Sequence, residues 1–172
     1  PAFRQKSSRV EQLLALLPFA LTGAQRRVSE TIWHELSQPS PMLRLVQGDV
    51  GSGKTVVAAA AAMMAIDSGY QVALMAPTEL LAEQHYRHFQ RWGEALDCRV
   101  SLCTGRLGAK ARRTLLSAMA CGEVDLVIGT HALFQTKIEF QRLGLMIVDE
   151  QHRFGVGQRL ALQEKGKSKG LF

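Results

Sequence analysis

Cysteine is scarce: Cys98, Cys103 and Cys121 are the only three in 172 residues. The count is odd and no C-x-x-C pair occurs, so neither a disulfide framework nor a zinc site is supported. Reduced thiols in or near a core are the expectation. Aromatic residues make up 6%. None is interleaved with the basic group Arg106, Lys110, Arg112 and Arg113, which disfavours an independent platform for stacking unpaired bases. Long apolar runs are missing too: the longest, Val56 to Ile66, is far short of the ~20 residues of a membrane span. Arg4, Lys6 and Arg9 are not followed by an apolar core and a small-residue cleavage site, so a secretory signal is not expected. There is no internal repeat and no low-complexity tract. Acidic residues are the minority, 15 against 21 basic, for a net charge of +6. That balance permits a polyanionic partner without proving one. With 47% hydrophobic and 21% charged residues, the chain is long enough for one compact domain with a sizeable core.

Against these absences stands Gly48-Asp49-Val50-Gly51-Ser52-Gly53-Lys54-Thr55, the phosphate-binding pattern G-x-x-x-x-G-K-[ST]. Ordinary residue usage produces it by accident in roughly one chain of this length in a hundred. An extended-looking apolar stretch leads in and an Ala-rich helical stretch leads out, which is the setting the motif needs. Gly48, Gly51 and Gly53 free the backbone to turn successive N–H groups onto phosphates. A helix starting at about Lys54 adds its positive dipole end. Lys54 is expected between the β- and γ-phosphates of ATP, and the Thr55 hydroxyl on Mg²⁺.

Strand-like and helix-like stretches then alternate. Strands are expected over Leu43–Gln47, Gln71–Ala76, Arg99–Cys103, Val124–Gly129 and Leu143–Asp149. Helices are expected over Lys54–Asp67, Glu79–Trp92 and Ala109–Cys121, preceded by one over Thr22–Leu36 and a lead-in with Val10, Leu13, Leu14 and Leu17 at helical spacing. Thr78 behind Pro77 is a plausible N-cap. The rhythm argues for a parallel sheet covered by helices on both faces. Loops at the carboxyl ends of its strands would form the binding crevice. The apolar run Leu145–Val148 ends abruptly in Asp149-Glu150. Asp149 suits a Mg²⁺ role, usually through a bound water. Glu150 is placed to orient and deprotonate the attacking water. Gln151 and His152 follow at the inner mouth of the crevice, where they could sense the γ-phosphate.

Asp149-Glu150-Gln151-His152, with Arg153-Phe154-Gly155-Val156 behind it, resembles the DEQH box of the RecG-type DNA helicases of superfamily 2. The phosphate loop is similar to that family's, and Ala76-Pro77-Thr78-Glu79-Leu80-Leu81-Ala82-Glu83-Gln84-His85 resembles its motif Ia. Thr104-Gly105 and Gly129-Thr130-His131-Ala132-Leu133 resemble later strand-end motifs. The resemblance implies a RecA-like three-layer α/β fold with a mostly parallel central sheet flanked by helices. It implies ATP-driven translocation on DNA, remodelling of branched or forked DNA, and a bacterial cytoplasmic setting. The transcription-repair coupling translocase is a close relative, whose box usually carries Glu where Gln151 stands.

By resemblance to the Q motif, Phe19 would pack on adenine and Gln25 read its edge, with Leu21 and Thr22 beside them. Thr22-Gly23-Ala24-Gln25 also fits a capping box at a helix start. Thr78, Gln84, Thr104, Gly105, Arg106, Thr130 and His131 are the expected DNA contacts, holding phosphates without reading sequence. The expected divisions are a lead-in over 1–18, a RecA-like lobe over 19–165 and a tail over 166–172. A second RecA-like lobe, motif III and an N-terminal wedge domain are expected elsewhere in a longer protein, and the lobe alone is not expected to unwind DNA. Two rivals stand beside this reading: a non-helicase P-loop ATPase and a non-catalytic nucleotide-dependent interaction module.

Overall fold

The computed structural model describes residues 8–38, 53–131, 133 and 138–149. The strand expected over Leu43–Gln47, the loop residues Gly48, Asp49, Val50, Gly51 and Ser52, the residues Glu150, Gln151 and His152, and the tail over 166–172 lie outside them. Described elements run in the order α1 (Ser8–Leu16), α2 (Gly23–Leu36), α3 (Lys54–Asp67), β1 (Gln71–Met75), α4 (Glu79–Leu96), β2 (Val100–Cys103), α5 (Ala109–Ala120), β3 (Leu126–Gly129) and β4 (Leu143–Val148). The four strands form one sheet in the order β2-β3-β1-β4, and every pairing is parallel. All strand carboxyl ends therefore share one edge.

The helices take their places for readable reasons. α3 is apolar nearly all round, from Val56 to Ile66, and such a helix must be buried on all sides. It lies in the larger core with α1, α2 and α4 on one face of the sheet. The lead-in helix α1 joins that core through Val10 and Leu13. Arg9 fastens it further, binding Asp67 at the end of α3 and the Leu96 carbonyl at the end of α4. α5 covers the other face through Met119, with Ala73, Val127, Leu133 and Phe140. Helices on both faces of a parallel sheet make the three-layer α/β architecture that the alternating pattern implied. Cys98 and Cys103 are buried and Cys121 is exposed, each a free thiol.

The end of α4 departs from its expected place. α4 continues four residues past Trp92, to Leu96. Gly93 does not stop it. A Cβ there would lie 2.8 Å from the Cys98 carbonyl oxygen and 2.8 Å from Val100 Cγ2, so the glycine lets α4 approach the entry to β2. The helix stops at Asp97, whose φ of 54° is left-handed. The pairing of β1 with β4 contains a register shift. Leu143 packs on the α5 side of the sheet and Leu145 on the α3 side, although residues two apart in a regular strand share a face. Gly144 sits at the irregularity, with the Tyr70 ring where its side chain would be.

Buried Gln71 opens β1 and joins three elements. Its Nε2 donates to the Met119 and Val124 carbonyls at 2.9 and 2.8 Å, and its Oε1 accepts from the Arg142 N–H at 2.9 Å. All its hydrogen-bonding groups are used, which is what allows an amide to be buried.

Candidate nucleotide site and nucleic-acid edge

Gly53 caps the start of α3 with φ 79°, a left-handed conformation. A side chain at this position would be strained and would also strike Gln25, whose Nε2 lies 1.9 Å from an ideal Cβ. The start of α2 is thus pressed against the end of the phosphate-loop motif. Gln25 makes the full reciprocal capping box: its Oε1 accepts from the Thr22 N–H at 2.9 Å, and its own N–H donates to Thr22 Oγ1 at 3.2 Å. The capping role of the Thr22–Gln25 pair is therefore observed, and Gln25 faces the phosphate-loop end at the same time. Phe19 is half exposed just before α2.

Lys54 and Thr55 form the first turn of α3. Asp149 follows the end of β4. Its N–H donates to the Met75 carbonyl at 2.8 Å, which holds the backbone to β1. Its Oδ2 lies 2.7 Å from Nε2 of His85, a residue of α4. The hydrogen bond from His85 holds the Asp149 carboxyl below the usual carboxylate range; partial burial opposes this, and the charges of His85 and Lys54 reinforce it. The α3 start and the acidic strand end, distant in sequence, are near enough for the lysine ammonium to act on the carboxylate.

Along the same edge lie the turns after β1, β2 and β3. Thr78 caps α4, accepting from the Leu81 N–H at 3.2 Å. Gln84 is exposed on that helix. Thr104 and Thr130 are only 6% and 5% exposed, so the outer surface of these turns is made by Gly105, Arg106 and His131. Gly105 and Arg106 both meet Glu79. One carboxylate oxygen accepts from the Gly105 N–H at 3.0 Å, the other from Arg106 Nε at 3.0 Å, and Glu83 stands 3.8 Å from the same guanidinium. Leu80, next in sequence to Glu79, is two-thirds exposed.

The sequence reading gave no role to Glu79 or His85. His85 falls between Ala82 and Phe89 at three- and four-residue steps, on the buried stripe of α4. That spacing signals an inward position, but nothing in the sequence names a partner 64 residues away.

A family model for DEAD/DEAH box helicases matches residues 24–168. The chain is 60% identical over 157 residues to the ATP-dependent DNA helicase RecG of Pasteurella multocida (strain Pm70), covering 91% of this chain and 23% of the relative. It is 57% identical over 160 residues to the ATP-dependent DNA helicase RecG of Escherichia coli O157:H7, covering 93% and 23%. A solved structure of RecG bound to a three-way DNA junction matches with a TM-score of 0.78 at 41% identity, over 90% of this chain and 21% of that one. The chain thus spans about a quarter of the length of the curated relatives it matches. With its RecA-like α/β architecture and its match over residues 24–168, the chain belongs to the DEAD/DEAH box helicase family.

Proposed function

We propose that the chain is the first, ATP-binding motor lobe of an ATP-dependent DNA helicase that remodels branched or forked DNA. The observation that carries this is the Asp149 carboxylate at the carboxyl edge of a parallel sheet, within reach of the charge of Lys54 in the first turn of α3. The similarity to RecG over nine-tenths of the chain supports the choice of DNA helicase. The same similarity favours this reading over a transcription-repair coupling translocase or a non-helicase P-loop ATPase.

In this reading Lys54 neutralises the β- and γ-phosphates, and the α3 N-terminus adds its dipole. Gly48, Asp49, Val50, Gly51, Ser52 and Gly53 cradle the phosphates. Phe19 and Gln25 serve the adenine. Glu150 orients and deprotonates the attacking water, while Gln151 and His152 sense the γ-phosphate. Thr55 and Asp149 would hold Mg²⁺. Their donor set suits it: a hydroxyl and an ionised carboxylate are hard oxygen ligands. Among the described residues no group of three or more His, Cys, Asp or Glu could hold a metal by itself. A cation shared between nucleotide phosphates and one or two protein oxygens fits this arrangement. When bound, the ion would stabilise the charge that develops on the phosphates.

Gly105, Arg106 and His131, with Thr78, Gln84, Thr104 and Thr130 around them, would line the DNA backbone. A second RecA-like lobe would supply the arginine that hydrolysis needs. A wedge domain would grip the junction. The test is ATP turnover by the full-length protein with forked, single-stranded and linear duplex DNA. Stimulation strongest with forked DNA is expected. Equal turnover with and without every DNA would overturn the assignment.

A further inference from the structure

Asp149 is anchored twice to one continuous piece of chain. Its N–H donates to Met75 at the end of β1. Its carboxylate meets His85 on α4, the helix that follows β1 after residues 76–78. The His85 side chain is 16% exposed, and its neighbours on the same face of α4, Ala82 and Phe89, are fully buried. The ring therefore has little freedom to turn elsewhere. An ionised carboxylate only accepts hydrogen bonds, so the ring nitrogen facing Oδ2 is the one that carries the proton. A carboxylate bonded through one oxygen cannot swing freely about its terminal torsion, and its other oxygen is kept at a set angle.

We propose that His85 is the positioning residue for Asp149: its Nε2–H holds Oδ2, so that Oδ1 is presented to the water shell of a nucleotide-bound Mg²⁺. The role rests on the nucleotide-site reading given above. It is of the kind that hydrogen-bond partners of metal-ligating groups play, where loss of the partner weakens metal affinity about 10- to 100-fold. Here the bond also joins the helix that carries Glu79, and through it Gly105 and Arg106, to the metal-facing carboxylate.

The experiment follows fluorescent mant-ADP binding to the full-length protein, first in EDTA and then across a Mg²⁺ titration. Wild type, His85→Ala and His85→Gln are compared. A glutamine amide places a donor nitrogen where the imidazole Nε2 stood. His85→Ala is expected to raise the half-saturating Mg²⁺ concentration about tenfold or more, with mant-ADP affinity in EDTA unchanged. His85→Gln is expected to recover most of the loss. An unchanged Mg²⁺ midpoint in His85→Ala would overturn the proposal. So would an equal loss of affinity in EDTA, which marks a general packing defect, or a glutamine variant no better than alanine. If the wild type itself shows no Mg²⁺ dependence, the nucleotide-site reading fails, and this role fails with it.

Discussion

Gly53→Ala tests the link between the phosphate-loop end and the start of α2. Two separate costs arise. A non-glycine residue at φ 79° is disfavoured by about 1–2 kcal/mol. The new methyl also falls 1.9 Å from Gln25 Nε2 and 2.9 Å from its Cδ, so the glutamine must leave. Its departure removes the bond from the Thr22 N–H, worth about 0.5–1.5 kcal/mol. Gly53→Ala should therefore destabilise by about 1.5–3.5 kcal/mol. In a Gln25→Ala background only the backbone cost remains, about 1–2 kcal/mol. The two substitutions should thus be less than additive, with a coupling of about 1 kcal/mol. Urea unfolding of wild type, both single variants and the double variant measures this directly. Additivity within about 0.3–0.5 kcal/mol would refute the steric reasoning, since it would mean that the glutamine does not lie over Gly53 in solution.

Other expectations follow from the same geometry. In the full-length protein, Lys54→Ala should weaken triphosphate binding, whereas Glu150→Gln should keep binding and block turnover; equal loss of binding in both would contradict the assigned roles. Glu79→Gln should release Arg106 from its carboxylate and make one more phosphate contact possible. Its log-affinity for DNA should fall more steeply with log salt, by about 0.9, while an unchanged or shallower slope would place Arg106 away from DNA. Gln71→Leu should destabilise by about 2–4 kcal/mol, because the Val124 carbonyl and the Arg142 N–H lose their partner in a buried place, while the Met119 carbonyl keeps the Gly122 and Gln141 N–H groups. Thermal or urea unfolding showing no loss would mean that water reaches those groups.

Much of the fold was legible because it rests on local pattern. The α3 bounds, Lys54–Asp67, agree with the Ala-rich stretch between Gly53 and Ser68-Gly69. The Thr22 and Thr78 caps are visible as hydroxyls standing before helical runs. The parallel sheet followed from helices placed between apolar strands. Features set by contacts between distant residues leave no such local pattern. Gly93 looks like a helix end and instead serves a close approach to the Cys98 carbonyl. The shift that turns Leu143 and Leu145 to opposite faces has no periodic signature. Gln71 reads as a polar residue at a strand start, although it is a fully bonded buried clamp. At the site, Lys54 and Asp149 were expected together from motif chemistry. The His85–Asp149 and Glu79–Gly105 bonds were not expected, because either residue reads equally well as a solvated or packed helix position. Glu79 matters for the DNA reading in particular: its carboxylate occupies two of the donors assigned to a DNA phosphate.

At the centre of the proposed site stands a divalent ion shared between nucleotide, Thr55 and Asp149. Counting free Mn²⁺ by electron paramagnetic resonance, as it is titrated into the protein with and without ADP, measures this most directly. One ion should bind per nucleotide-loaded chain, only in the presence of nucleotide, and both Asp149→Asn and Thr55→Ala should weaken it. Tight Mn²⁺ binding without nucleotide, or binding that neither substitution changes, would contradict it.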